Sequence, residues 1–363
     1  MISFSQEKQE LFVGGEFYYD GRWITQTHTS LFDGMHFLNG GQACLKVISD
    51  LLLAQGITTV LLPAYLCPTI VKTFERNGLV CDFYQVNRDL SLDLDDVAQK
   101  IEGHRVFYFI NYFGFPSSPS VRFFIQNLQK HGILVIEDNA QAGFVQNPIG
   151  DFIFNSMRKL VPYDGGYLST KFDVTPVLQK FEGRINHRLP LIRDYRQRLY
   201  GYLFKDEDER TALSEIFLQA EHYYGTDGVV LGDEGERIAI EHLDWQAIRQ
   251  TRRENYSYLL DLIQTIPEIE VIHPALSEEV MPMGMPVYLN RVDRDRVHES
   301  LGEAGIGLLV HWSEINQHPL TRQNVQAVDM TDHMLTLAID QRTSKKQLEY
   351  LAVKLAGAVA EGG

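Results

Sequence analysis

Val135-Ile136-Glu137-Asp138-Asn139-Ala140-Gln141 is an apolar run ending in two acids, and Ser156-Met157-Arg158-Lys159-Leu160 follows it closely, with Asp164-Gly165-Gly166 just beyond. The first run predicts a buried strand with Asp138 at its carboxyl end. The second predicts a loop that carries a lysine ahead of a glycine pair. An aspartate at a strand end and a lysine on the next loop can share one site. Pyridoxal phosphate needs both: the lysine amine condenses with the cofactor aldehyde, and the aspartate keeps the pyridine nitrogen protonated. Each half alone is weak evidence. Their order and spacing together point to that cofactor.

Outward from this stretch, helices and short apolar runs alternate. Residues 42–55 place Ala43, Val47, Leu51 and Ala54 at helical spacing, and Thr59-Val60-Leu61-Leu62 reads as a buried strand stopped by Pro63. A helix follows from Pro68 to Asn77, closed by Gly78. Val80–Val86, Arg105–Ile110 and Ile133–Ile136 read as further strands, with a helix near 119–130. Strands apolar on both faces, alternating with helices, predict an α/β fold with a mostly parallel central sheet covered by helices. Ligands of such sheets bind beyond the carboxyl ends of the strands, where Asn111, Asp138 and Pro63-Ala64-Tyr65 fall.

Two more strands are expected near 151–154 and 166–169, then helical sequence over 174–220 with an acidic turn at 206–209. A turn-rich passage over 226–235 precedes a long amphipathic helix, roughly 236–264. Strands near 286–291 and 334–339 and helices near 293–304 and 344–358 complete a smaller α+β part. The division expected is an N-terminal arm (1–30), a large cofactor-binding domain (31–235), and a connecting helix with a small C-terminal domain (236–363).

Composition narrows the function classes. The net charge of −15 opposes general binding to nucleic acid, whose phosphates it would repel. Local basic clusters, Arg184–Arg188 with Arg193, Arg196 and Arg198, read either as a solvated helix face or as an anion site. No apolar run approaches the roughly 20 residues of a membrane helix. The first residues lack the pattern of a secretory signal. Cys44, Cys67 and Cys81 fit neither a disulfide framework nor metal-ligand spacing, so a reducing cytoplasm is expected and no metal.

Each candidate residue has a plain structural alternative. Asp138 could cap a helix or form an ion pair; opposite a pyridine nitrogen it would favour the protonated ring by charge attraction. Gln141 could donate to the ring hydroxyl oxygen or serve as an ordinary turn amide. Lys159 lies between apolar flanks, where burial and neighbouring Arg158 would depress its pKa and free the amine as nucleophile and later as general base. Asn39-Gly40-Gly41-Gln42 opens the first long helix, where glycines admit backbone N–H groups to a phosphate, or form a simple turn. Ser156 could reach the phosphate or satisfy its own loop. Tyr65 could stack on the pyridine ring or belong to the core. His311 and Arg291 are substrate-side candidates, Arg291 for a donor carboxylate; a capping histidine and a surface ion pair are the alternatives.

These residues resemble the DegT/DnrJ family of pyridoxal phosphate-dependent sugar aminotransferases, which have the aspartate aminotransferase fold (fold type I). The resemblance rests on Asn39–Ala43, Pro63–Tyr65, Asn111-Tyr112-Phe113-Gly114, Glu137–Gln141 and Lys159 with Gly165-Gly166, and more weakly on Arg252–Tyr256 and Leu335–Gln341. It implies Lys159 as the Schiff-base lysine, Asp138 as the pyridine-nitrogen partner, Gln141 beside the ring hydroxyl, Gly41 and Gln42 at the phosphate, and Tyr65 near the ring. It also implies a homodimer with its sites at the interface, glutamate as amino donor and a keto-sugar nucleotide as acceptor. Departures touch the phosphate and substrate ends. Gly41-Gln42 replaces the usual Thr-Ala or Ser-Ala, and Phe154 stands where the serine before the lysine belongs, leaving Ser156 and Arg158 for its role. The Asn-Tyr-Arg segment supplied by the partner is not recognisable between 180 and 235, with Asn186 as a substitute.

The function expected is transfer of an amino group from an amino donor to a small-molecule keto acceptor, a keto-sugar free or nucleotide-linked. Alternatives are another pyridoxal reaction on this fold, dehydration or elimination, and a non-catalytic binding or regulatory protein.

Overall fold

The computed structural model describes residues 12–205, 209–317, 319 and 321–362. Seven strands form the main sheet: β2 (His36–Leu38), β3 (Thr59–Pro63), β4 (Val80–Tyr84), β5 (Val106–Ile110), β6 (Leu134–Asn139), β7 (Phe152–Asn155) and β8 (Gly166–Thr170), in the order β2-β8-β7-β6-β5-β3-β4. From β4 to β7 every neighbouring pair is parallel; β8 runs antiparallel to β7 and to β2. All five residues of β5 are buried, as a strand covered on both faces requires. The α/β architecture expected from the alternation is the one observed.

Helices α1 (Gly41–Ala54), α2 (Pro68–Arg76), α3 (Leu94–Lys100) and α4 (Pro119–Lys130) are the crossovers between these strands. Pro68 and Pro119 stand in the first turns of their helices, where a missing N–H costs nothing. The expected strands and helices of this half fall within two or three residues of their observed bounds. Strand β6 runs further than expected and so carries Asp138 and Asn139 inside the sheet.

After β8 the chain becomes helical in pieces rather than throughout. A single turn at Thr175–Leu178 is followed by α5 (Arg188–Phe204) and α6 (Arg210–Thr226), which pack on each other. Of the acidic turn at 206–209, residues 206–208 lie outside the described residues. The single helix expected over 236–264 is two: α7 (Glu234–Glu241) and α8 (Trp245–Ile263). The N-terminal segment makes the break. Thr25 N–H donates to the His242 carbonyl at 2.7 Å, and Asp244 N–H to the Trp23 carbonyl at 2.8 Å. Asp244 then caps α8 by accepting from Ala247 N–H.

The C-terminal part holds a small antiparallel sheet of β9 (Ile269–Val271), β10 (Met285–Leu289) and β12 (Met334–Leu337), in the order β12-β10-β9. With it lie α9 (Arg294–Glu303), α10 (Val325–His333) and α11 (Lys345–Glu361). The arm finds its packing partner here, since β1 (Val13–Gly14) pairs in parallel with β11 (Ile306–Gly307). Val13 is accordingly buried in the same apolar cluster as Leu289, Leu337 and Leu355. Among the described residues no helix is long and apolar enough to cross a membrane.

Candidate active site

Strand alternation decides which way the two acids of β6 face. Glu137 turns to the loop below and accepts from the Ile149 and Gly150 N–H groups at 2.7 and 3.0 Å. Asp138 turns the other way, into a cavity lined also by Gly41, Gln42, Cys67, Gln141, Ser156, Arg158, Lys159, Tyr224 and Trp312. The strand-end aspartate and the loop lysine therefore share one cavity.

Asp138 is 3% exposed, and among the described residues no arginine pairs with it. Burial pushes its pKa up to about 6, even though the Tyr108 hydroxyl (2.5 Å) and the Ala140 N–H (2.7 Å) both donate to it. Burial, and then the charge of Arg158, lower the pKa of Lys159. Both charges are thus held in their less comfortable forms, as a site awaiting a compensating ligand would hold them. Gln141 points the same way. Its Oε1 accepts from Phe113 N–H at 3.0 Å, while its buried Nε2 has no hydrogen-bond partner.

At the other end of the cavity, α1 begins at Gly41. Gly40 offers no side-chain cap, so the first N–H groups of the helix remain free to meet an anion. The glycines here are steric requirements. Gly40 has φ +132°, and a Cβ on Gly166 would lie 2.4 Å from the Asn155 carbonyl oxygen and 3.1 Å from the Gly40 carbonyl carbon. The glycine pair after the lysine thus lets β8 abut the turn that opens α1. Ser156 is buried beside this turn, its Oγ 3.8 Å from where a Gly41 Cβ would stand. These donors and the buried carboxylate fit a phosphorylated aromatic cofactor with a basic ring nitrogen.

The lysine loop is fixed from the C-terminal part. Arg252, fully buried on α8, donates to the Leu160 carbonyl at 3.0 Å, to the Pro282 and Met283 carbonyls, and to Gln341 Oε1. Gln341 Nε2 donates to the same Leu160 carbonyl. His311 is buried next to the cavity, with Nδ1 2.9 Å from Thr336 Oγ1; burial and then Lys159 lower its pKa to about 3, so its imidazole is neutral.

Three candidates stand elsewhere. Tyr65 is fully buried, its hydroxyl bonded to the His311 carbonyl, and does not line the cavity. Trp312 does, and packs on Tyr65 with ring centroids 5.1 Å apart. Arg291 is exposed on the turn after β10, with φ +64°, and does not join the cavity. Asn186 touches the site indirectly: its Nδ2 donates to Asn39 Oδ1 at 3.0 Å, ahead of the glycine turn. The basic cluster resolves mainly into buried ion pairs. Asp164 accepts from Arg188 at 2.7 Å and from Arg196 at 2.8 Å.

Sequence reasoning missed Tyr108, Cys67 and Tyr224 as neighbours of this cavity. The neighbour relation of β5 and β6, which puts Tyr108 beside Asp138, is a matter of sheet order. Arg252 and Gln341 carried a signal, being part of the weaker segments of the resemblance.

Residues 237–355 match the model of the DegT/DnrJ/EryC1/StrS aminotransferase family. No curated relative matches the sequence. Among solved structures, the fold is similar to that of Helicobacter pylori PseC, an aminotransferase of pseudoaminic acid biosynthesis, at 14% identity and a TM-score of 0.71, covering 96% of this chain and 99% of that one. The PLP form of the Streptococcus pneumoniae sugar aminotransferase Spr1654 gives 14% identity, a TM-score of 0.68 and the same coverages. DesV from S. venezuelae gives 17% identity, a TM-score of 0.63 and coverages of 94% and 91%. At these identities the structural likeness speaks for the fold.

Proposed function

We propose that this chain, whose residues 237–355 match the DegT/DnrJ/EryC1/StrS aminotransferase model, catalyses pyridoxal phosphate-dependent transfer of an amino group to a keto-sugar, with glutamate as donor. The observation that carries the reading is the meeting of Asp138 and Lys159 in one cavity, where burial disfavours the charged form of each. Pyridoxal phosphate, when bound, supplies an electron sink for the carbanion formed as the substrate loses a proton.

The chain's own residues do the rest. Lys159 would hold the cofactor through its amine and would carry the substrate proton at Nζ; its lowered pKa keeps that amine available as a base. Asp138, oriented by Tyr108 and the Ala140 N–H, would pair with the ring nitrogen and favour its protonated form. Gln141 Nε2, which lacks a partner among the described residues, would donate to the ring hydroxyl oxygen. Gly41, Gln42 and Ser156 would hold the phosphate. Neutral His311 stands on the substrate side. A homodimer with its sites at the interface completes the reading, in a cytoplasmic setting.

The test is a half-reaction. Protein loaded with pyridoxal phosphate and mixed with glutamate should lose its visible absorbance and form free 2-oxoglutarate. Keto-sugars, free and nucleotide-linked, are then compared for the return step. Spectral indifference to every amino donor tried would defeat the transaminase reading.

A further inference from the structure

Helix α6 brings a phenol to the phosphate end of the cavity. Tyr224, in its last turn, lines the cavity with Asp138 and Lys159, and its Oη lies 2.8 Å from where a Gly40 Cβ would stand. Below the ring is Arg158, its guanidinium carbon 4.3 Å from the ring centroid; that of Arg188 is 4.9 Å away. Glu221, one turn earlier on α6, holds both arginines: Arg158 Nη1 at 3.2 Å and Arg188 Nη1 at 2.7 Å. One carboxylate thus stands between two guanidinia, and Arg158 Nε is buried without a partner. Ser156, 4% exposed, lines the same cavity and does not cap its own turn.

We propose that Tyr224 and Arg158, fixed by Glu221, are a phosphate clamp that this chain builds from its own helix α6 over the amino end of α1. The clamp rests on the pyridoxal phosphate reading above. The Tyr224 hydroxyl, beside the turn that opens α1, would donate to a phosphate oxygen. Arg158 supplies the positive charge that Gly41 and Gln42 do not. Its link to Glu221 sets the guanidinium in place, so α6 positions a cation that stands next to Lys159 in sequence. A hydrogen bond to a charged acceptor in such a site is worth about a factor of ten or more in affinity.

Titration separates the phosphate from the ring. Apoprotein is titrated with pyridoxal phosphate and, in parallel, with pyridoxal, which has the same ring and aldehyde but no phosphate. Tyr224→Phe should weaken pyridoxal phosphate binding about ten-fold, leave pyridoxal binding unchanged, and shift the phosphorus-31 resonance of bound cofactor. Glu221→Gln, which loosens Arg158 at a half-exposed position, should show the same selective loss. Equal losses for both ligands, or none for either variant, would overturn the clamp. Wild-type protein that takes up neither ligand would overturn the cofactor reading itself, and the clamp with it.

Discussion

Two buried carboxylates lie on either side of the Lys159 loop and meet opposite fates. Asp164 sits between Arg188 and Arg196; burial alone would raise its pKa, but the two guanidinia outweigh it and hold the carboxyl well below its usual range. Asp138, equally buried, has only a phenol, a backbone N–H and the distant charge of Lys159, and is pushed up to about 6. One carboxylate has its counter-ions in the protein. The other is left short of one, which costs stability and, on the reading proposed above, would suit a ligand that brings its own positive charge. That difference separates a structural ion cluster from a binding site, though both are runs of charged residues in the sequence.

The contrast can be broken most severely at its cation. Lys159→Ala should lower turnover by about 10³-fold or more, measured as product formation from glutamate, because both the covalent anchor and the base are lost. Next is Asp164→Asn, which leaves buried Arg196 without its counter-charge and Arg188 with Glu221 alone. It should destabilise the protein by about 3–5 kcal/mol in denaturant unfolding. Asp138→Asn should act in the opposite direction on the apoprotein. Its folded pKa is raised, so this group favours the native state only at low pH and costs stability as pH rises from about 4 to above 6. Removing it should stabilise the apoprotein at pH 8 by up to about 3 kcal/mol, with little effect at pH 4, while cofactor affinity falls. For the wild type the same ionisation predicts that affinity for pyridoxal phosphate declines as pH drops below about 6, as a titration series would record. Smallest is Arg291→Ala, at an exposed position away from the cavity; KM for the amino donor should not change.

Much of this was legible before any coordinates. Alternating apolar runs place β3 to β7 and three of the four helices beside them, all but α3, because strands covered on both faces leave an unmistakable composition. Asp138, Gln141, Ser156 and Lys159 converge because each stands at a strand end or on the loop beside it. Other features are tertiary. The break between α7 and α8 is made by hydrogen bonds to Trp23 and Thr25, more than 200 residues earlier, so helical periodicity runs through it unbroken. Tyr65 packs behind Trp312, which lines the cavity, because tertiary packing decides which aromatic reaches it. Asp164 and Asp138 look alike in sequence, since the arginines that satisfy one of them are contributed by α5.

The most direct test is reduction of the loaded protein with borohydride, followed by peptide mapping. The account predicts that the wild type takes up pyridoxal phosphate with visible absorbance, and that reduction fixes the cofactor on the peptide containing Lys159 and nowhere else in comparable yield. A colourless protein, or cofactor fixed on other lysines while Lys159 stays unmodified, would contradict it.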